Sequence, residues 1–219
     1  MWLALIALLF SANAWAQASS SGPGPYVFDI RATMSGLPSN GNFLPALPTS
    51  TLVPKRGFGI GGGAHVYLAS LGVARLGVGV DAFRIRGTAA TPAILTPVSQ
   101  TDLLTNASPI DVATTMTAVA PQLSFNFGTR EGWSYLSGGY GAASIRSKAS
   151  GERPEPLNGS VTVERGDGLA SAVNYGGGAR WFIRERMAVG FDVRLYRVGA
   201  VGTRPSTRMF AAALGLSMR

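Results

Sequence analysis

The sequence predicts an all-β chain: an eight-stranded, antiparallel, up-and-down barrel that crosses a membrane with its apolar face outward. Three observations carry this reading. Apolar and polar residues alternate with period two over long segments, the mark of strands with two unlike faces. Short and long connections between those segments alternate strictly. Charged residues make up 14% of the chain against 46% hydrophobic, whereas soluble domains carry about 25% charge. Yet no internal apolar run is long enough for a spanning helix. Strands dilute their apolar residues to every second position, so a membrane barrel stays low in charge without a hydropathy peak.

The elements follow in order. Residues 1–16 read as a secretory signal peptide, with an apolar core from Trp2 to Phe10 and a small-x-small cleavage site at Ala14-Trp15-Ala16. Residues 17–25 form a short periplasmic segment, and 26–219 the barrel. The first strand, 26–36, sets Tyr26, Phe28, Ile30, Ala32 and Met34 against Asp29, Arg31, Thr33 and Ser35. The second, 57–70, sets Phe58, Ile60, Ala64, Val66 and Leu68 against glycines, His65 and Tyr67. The third, 74–87, sets Leu76, Val78, Val80 and Ala82 against Arg75, Gly77, Gly79 and Asp81. The fourth, 115–128, sets Val119, Leu123, Phe125 and Phe127 against Gln122, Ser124 and Asn126. The fifth, 132–147, is ambiguous. Trp133, Tyr135 and Ile145 share a parity with Ser137, Gly139 and Gly141, while Leu136 and Tyr140 take the other. Either its phase is reversed or a bulge switches it. The sixth and seventh flank a tight Arg184-Glu185-Arg186 turn, with Phe182 alone out of phase. The eighth, 207–218, carries Phe210, Ala212, Leu214, Leu216 and Met218 on one face.

Short turns fall at Leu71-Gly72, Thr129-Arg130-Glu131 and Arg184-Glu185-Arg186; long loops fall at 37–56, 88–114 and 148–168. All long loops therefore leave one end, as in barrels with short periplasmic turns and long extracellular loops. An even strand count sets both termini on the periplasmic side. A soluble eight-stranded lipocalin-like barrel is the alternative. It would turn the apolar face inward and carry Lys and Glu outside. Here the polar face is mostly Gly and Ser, which suits an interior barely wide enough for side chains.

Several motifs carry a resemblance. Asn174-Tyr175-Gly176-Gly177-Gly178-Ala179-Arg180-Trp181-Phe182, then Val193-Arg194-Leu195-Tyr196, resemble the Gly-rich strand, tight turn and Arg-x-Tyr ending of small outer-membrane barrels, the OmpA-like, OmpW-like and "porin family" eight-stranded proteins. Ala120-Pro121-Gln122-Leu123 is similar to the same family. The resemblance implies insertion by the barrel-assembly machinery into the outer membrane of a Gram-negative bacterium. Family barrels end in a terminal aromatic, and here the last residues are Leu216-Ser217-Met218-Arg219. Some small barrels modify lipids with a His-x-Ser pair. In this chain the triplet is His65-Val66-Tyr67, without that nucleophile.

The candidate site residues form two sets. Asp29, Arg31, Asp81, Arg180, Asp192 and Arg194 share the lumen parity, and buried charges must pair. Their pairing predicts a plugged lumen, against a gated pore. Arg56, Arg84, Arg86, Arg146, Arg197 and Arg204 lie near the ends that meet the long loops. Guanidinium forks there suit lipopolysaccharide phosphates, against a merely solvated rim. The net charge of +8 favours anionic lipid over nucleic acid for an exported chain. Trp133, Tyr135, Trp181, Tyr26 and Phe127 are candidates for a lower aromatic girdle.

The absence of Cys excludes disulfides and thiolate metal sites, and one mature-chain histidine, His65, suggests no metal. No cofactor is expected. Gly57-Phe58-Gly59-Ile60-Gly61-Gly62 matches a dinucleotide-binding pattern, but alternating strand follows it rather than a helix. The loops 42–54 and 91–98 are apolar and Pro-rich, suited to folding over the mouth or binding a partner or hydrophobic ligand; 148–168 is polar and includes Arg165-Gly166-Asp167. The expected role is non-enzymatic, in outer-membrane structure or surface interaction; a narrow channel or carrier for small solutes is the alternative.

Overall fold

The computed structural model describes residues 23–45, 47, 51–92, 109–152, 160–166 and 168–219. Residues 1–16, expected to be a signal peptide, residues 17–22, most of the second long loop and Asp167 lie outside these. The strands are β1 (Tyr26–Gly36), β2 (Arg56–Leu71), β3 (Ala74–Thr91), β4 (Ile110–Gly128), β5 (Gly132–Glu152), β6 (Ser160–Gly166), β7 (Ala170–Arg184), β8 (Met187–Val198) and β9 (Thr207–Met218). Every pairing between them is antiparallel, and β1 pairing with β9 closes the cylinder. The dinucleotide-like glycines lie inside β2.

Nine strands make eight staves. β7 pairs with β5 up to Ala170↔Ala143, and β6 resumes at Gly166↔Arg146. The register against β5 therefore moves by one residue between β7 and β6, the offset of a β-bulge. Gly168 sits in it at φ 78°, a backbone conformation other residues adopt only at a cost. The expected loop 148–168 is therefore largely strand: β5 runs on to Glu152, and β6 returns beside it.

The turns at 72–73, 129–131 and 185–186 lie together at one end. Pro23 and Arg219 lie there too: Arg219 Nε donates to the Glu185 carbonyl at 2.8 Å, and the Arg75 guanidinium donates to the Pro23 carbonyl.

Exposure answers which face meets lipid. Ile60, Tyr140, Leu214 and Phe58 point outward at 72, 67, 69 and 65% exposed, while Asp29, Asp81, Arg180 and Asp192 are buried. In β5 the phase is reversed: Trp133, Tyr135 and Ile145 point inward, Leu136 and Tyr140 outward. Trp133 and Tyr135 therefore leave the proposed girdle, whereas Tyr26 and Trp181 stay on the outer surface.

Toward the loop end the polarity turns over, with no slip of register between β3 and β4 or between β8 and β9. On β3, Phe83 and Ile85 point inward while Arg84 and Arg86 point outward. β4 buries Met116 and Val112; β5 buries Ile145 and exposes Arg146 and Lys148; β8 buries Val198 and exposes Arg197; β9 buries Met209 and exposes Arg208. A strand that has left hydrocarbon needs a polar exterior and an apolar interior, as any soluble barrel does. The turnover therefore marks the edge of the membrane.

Candidate functional site

The inward-facing side chains form three storeys. At the turn end Val27, Tyr67 and Trp133 are buried with Phe182 against them; Trp133 and Phe182 stack at 5.0 Å between centroids. Phe182 breaks the alternation of β7 because the register shifts between Phe182 and Arg184. Its ring lies at this end, with the Arg219 guanidinium 3.8 Å from its centroid.

The middle storey is ionic and brings all six expected lumen residues together. Arg180 grips Asp29 with two bonds, Nε to Oδ1 at 2.9 Å and Nη2 to Oδ2 at 2.6 Å. Ser217 Oγ adds a third to Asp29 at 2.5 Å. Arg31 bonds Asp81 and reaches Asp192 at 3.5 Å. Arg194 donates to both oxygens of Asp192, at 2.8 and 3.0 Å, and to Gln122, Asn174 and Ser137 at 2.9, 3.0 and 2.8 Å. Tyr135 joins the halves: its hydroxyl donates to Asp192 at 2.6 Å, and Arg180 lies 4.1 Å from its ring centroid. Three arginines face three aspartates, so the formal charges cancel. The void between Arg31, Thr33, Asp81, Arg194 and Tyr196 measures about 10 Å³, room for about one water.

Glycine makes this layer possible. Asp29 lies opposite Gly63, Arg31 opposite Gly61 and Gly215, Arg180 opposite Gly190, Asp192 opposite Gly178 and Arg194 opposite Gly176. A Cβ at Gly176 would stand 2.7 Å from Arg194 Cγ, and one at Gly215 2.5 Å from Arg31 Cγ. The missing side chains are the space in which the guanidinium stems lie across the neighbouring strand.

The upper storey is apolar: Phe83, Ile85, Met116, Ile145, Val198 and Met209 are among its buried residues, and Leu37 and Phe43 from the first long loop cover it. Part of the Pro-rich loop thus folds into the mouth.

The second candidate set divides. Arg56, Arg84, Arg86, Arg146 and Arg197 are exposed on the outer surface. Arg204 is not a rim residue: it is 2% exposed and points inward. The hairpin Val201–Arg204 turns on Gly202 at φ 57° and carries it there. Arg208 and Lys148 are exposed in the same zone and were not anticipated. Arg208 stands opposite Arg197, so β3, β2, β9 and β8 present a cationic arc interrupted only by β1. His65 is buried with no hydrogen-bond partner among the described residues, and no hydroxyl nucleophile adjoins it in sequence.

No protein-family model matches the chain, and no curated protein does. Among solved structures, the attachment invasion locus protein Ail of Yersinia pestis superposes with a TM-score of 0.52 at 15% identity, over 90% of this chain and 98% of that one. The fold is that of a small outer-membrane β-barrel. Neisserial surface protein A aligns over 90% of this chain and 99% of that one, at TM-score 0.44 and 12% identity. The outer-membrane protease OmpT of Escherichia coli aligns over 92% and 99%, at TM-score 0.45 and 9% identity.

Proposed function

We propose that the protein is a non-enzymatic outer-membrane barrel with a plugged lumen, which holds anionic lipid at its surface end and carries its long strands and loops beyond the membrane. The observation that carries this reading is the ionic storey: three arginines and three aspartates neutralise one another across the bore. A conducting pore needs a continuous path for water, and the network supports the opposite. Ion conductance of the refolded barrel in planar bilayers is the test, with folding established by a boiled-versus-unboiled gel shift. Silence is expected. Steady single-channel steps whose selectivity follows charge reversal at Asp192 and Arg194 would establish the narrow-channel reading instead.

The cationic arc supports the lipid-binding part. Arg56, Arg84, Arg86, Arg197 and Arg208 project from the zone where the outer surface turns from apolar to polar. Phosphates of lipopolysaccharide occupy that level, and guanidinium forks match them. The double variants Arg84→Gln/Arg86→Gln and Arg197→Gln/Arg208→Gln should each at least halve the lipopolysaccharide that co-purifies per barrel. Unchanged co-purification in both would refute the lipid-binding role.

A further inference from the structure

We infer that the upper storey of the lumen is a binding site for an amphiphilic carboxylate, a molecule with an apolar body and one carboxylate, and that Arg204 is its counter-ion. Arg204 differs from the other buried arginines among the described residues. Arg31, Arg180 and Arg194 each hold an aspartate, whereas Arg204 has no carboxylate partner among the described residues. Its Nη1 donates to the Ile145 carbonyl at 3.3 Å, and its guanidinium stands 5.6 Å from the Phe43 ring centroid. Nε and Nη2 are buried and unpartnered. A buried cation without a counter-ion is costly, and those two N–H groups form one edge of the fork that grips a carboxylate bidentately.

The surroundings select the rest of the ligand. Arg204 stands at an apolar cluster, with Phe43 and Ile145 beside it and Val201 of its own hairpin packed against that cluster. Ala118, Ala143, Ala170, Ala172 and Ala211 contribute to the same cluster, so much of its wall is small and smooth. An alkyl or aryl body is at home against such walls.

Phe43 occupies the place such a body would take. It belongs to the 3₁₀ turn Gly41–Phe43, whose hydrogen bonds are internal: Asn42 N–H to Asn40 Oδ1, Phe43 N–H to Asn40 O and Leu44 N–H to Gly41 O. The turn can leave as a unit without breaking them. Among the described residues it is tied to the barrel by the bond from Arg165 Nη1 to the Leu44 carbonyl at 3.3 Å, by the burial of Phe43 and Leu44, and by the Arg204 contact with the Phe43 ring. A ligand displacing Phe43 replaces a ring over the guanidinium with a true counter-ion.

The test uses the full barrel in nanodiscs. The chain has no cysteine, so an Asn42→Cys variant takes one environment-sensitive dye on the exposed turn. Octanoate is titrated beside octanamide and inorganic phosphate. A saturable dye response to octanoate is expected, with octanamide and phosphate at least tenfold weaker. Adding Arg204→Gln should weaken octanoate at least tenfold, and adding Phe43→Ala should tighten it. Absence of a saturable response, equal binding of octanamide or phosphate, or no effect of Arg204→Gln would overturn the site. Should Arg204→Gln not fold by gel shift, Phe43→Ala decides: tighter octanoate binding supports the site, and unchanged or weaker binding overturns it.

Discussion

Replacing Arg180 by Met tests the energetics of the ionic storey. The substitution keeps most of the stem and removes the guanidinium. Asp29, 5% exposed, then loses both bonds from Arg180 and keeps only Ser217 among its side-chain partners. Tyr135 loses the cation over its ring. Breaking a buried pair by deleting one partner costs about 3–5 kcal/mol, because the surviving charge is left uncompensated. The double variant Asp29→Leu/Arg180→Met removes both charges and should recover roughly 2 kcal/mol or more of that loss, since exchanging a whole buried pair for apolar groups is often neutral or better. Reversible urea unfolding of the barrel in lipid vesicles provides the measurement. The fluorescence of Trp133, which lies 5.9 Å from the Arg180 guanidinium, reports on the layer itself. An Arg180→Met variant within about 1 kcal/mol of wild type, the size of a solvated surface pair, would refute a dry ionic layer. So would a double variant as unstable as the single one.

Three further outcomes are expected from the same assay. Gly176→Ala should cost about 1–3 kcal/mol by overpacking, because its methyl meets Arg194 Cγ and the Val193 carbonyl; a neutral effect would show that the guanidinium stems do not need this clearance. Leu214→Arg, at a fully outward position, should cost about 2–4 kcal/mol, whereas an arginine at Phe58, beside Arg86 near the polarity turnover, should cost about 0–1 kcal/mol; equal costs would misplace the membrane boundary. Arg204→Met should leave stability equal or raise it by about 1 kcal/mol or more, since it removes a buried cation without a carboxylate partner; a loss above that size would mean that Arg204 has adequate partners already.

Much of the barrel was legible because alternation reports directly on two unlike surroundings. Phe28, Ile30, Leu214 and Leu216 meet lipid, while Asp29, Arg31, Gly215 and Ser217 meet the lumen, and parity alone separates them. The strict succession of short and long connections located the two ends. The phase of β5 was ambiguous because Trp133 and Tyr135 are aromatic yet serve the lumen: one packs with Phe182, and the other bridges Arg180 and Asp192. The extension of β5 and the strand β6 read as loop because above the membrane Lys148, Glu152, Glu164 and Arg165 look like any solvated segment. Arg204 was misplaced because parity fails across the Val201–Arg204 hairpin, where a left-handed glycine turns the chain inward. The contribution of Gln122, Asn174 and Ser137 to the ionic layer was hidden for another reason. Their parity faces inward, but only the three-dimensional register shows that one guanidinium, that of Arg194, reaches all three.

The opposed halves of β3 join these observations. Asp81 and Phe83 both point inward, Val80 and Arg84 both point outward, and no bulge separates them. What changes between them is the surroundings and not the backbone. Inside the hydrocarbon the barrel must hide its charges in the bore, where they can only pair, and the glycines opposite leave them room to do so. Beyond the hydrocarbon the same staves must hide their apolar residues, so the bore becomes an ordinary hydrophobic core and the arginines move outside. The ionic storey and the cationic arc are therefore two consequences of one boundary. Arg204 belongs to the upper half by position and to the lower half by chemistry, as a charge in the bore without the aspartate that Arg31, Arg180 and Arg194 each hold.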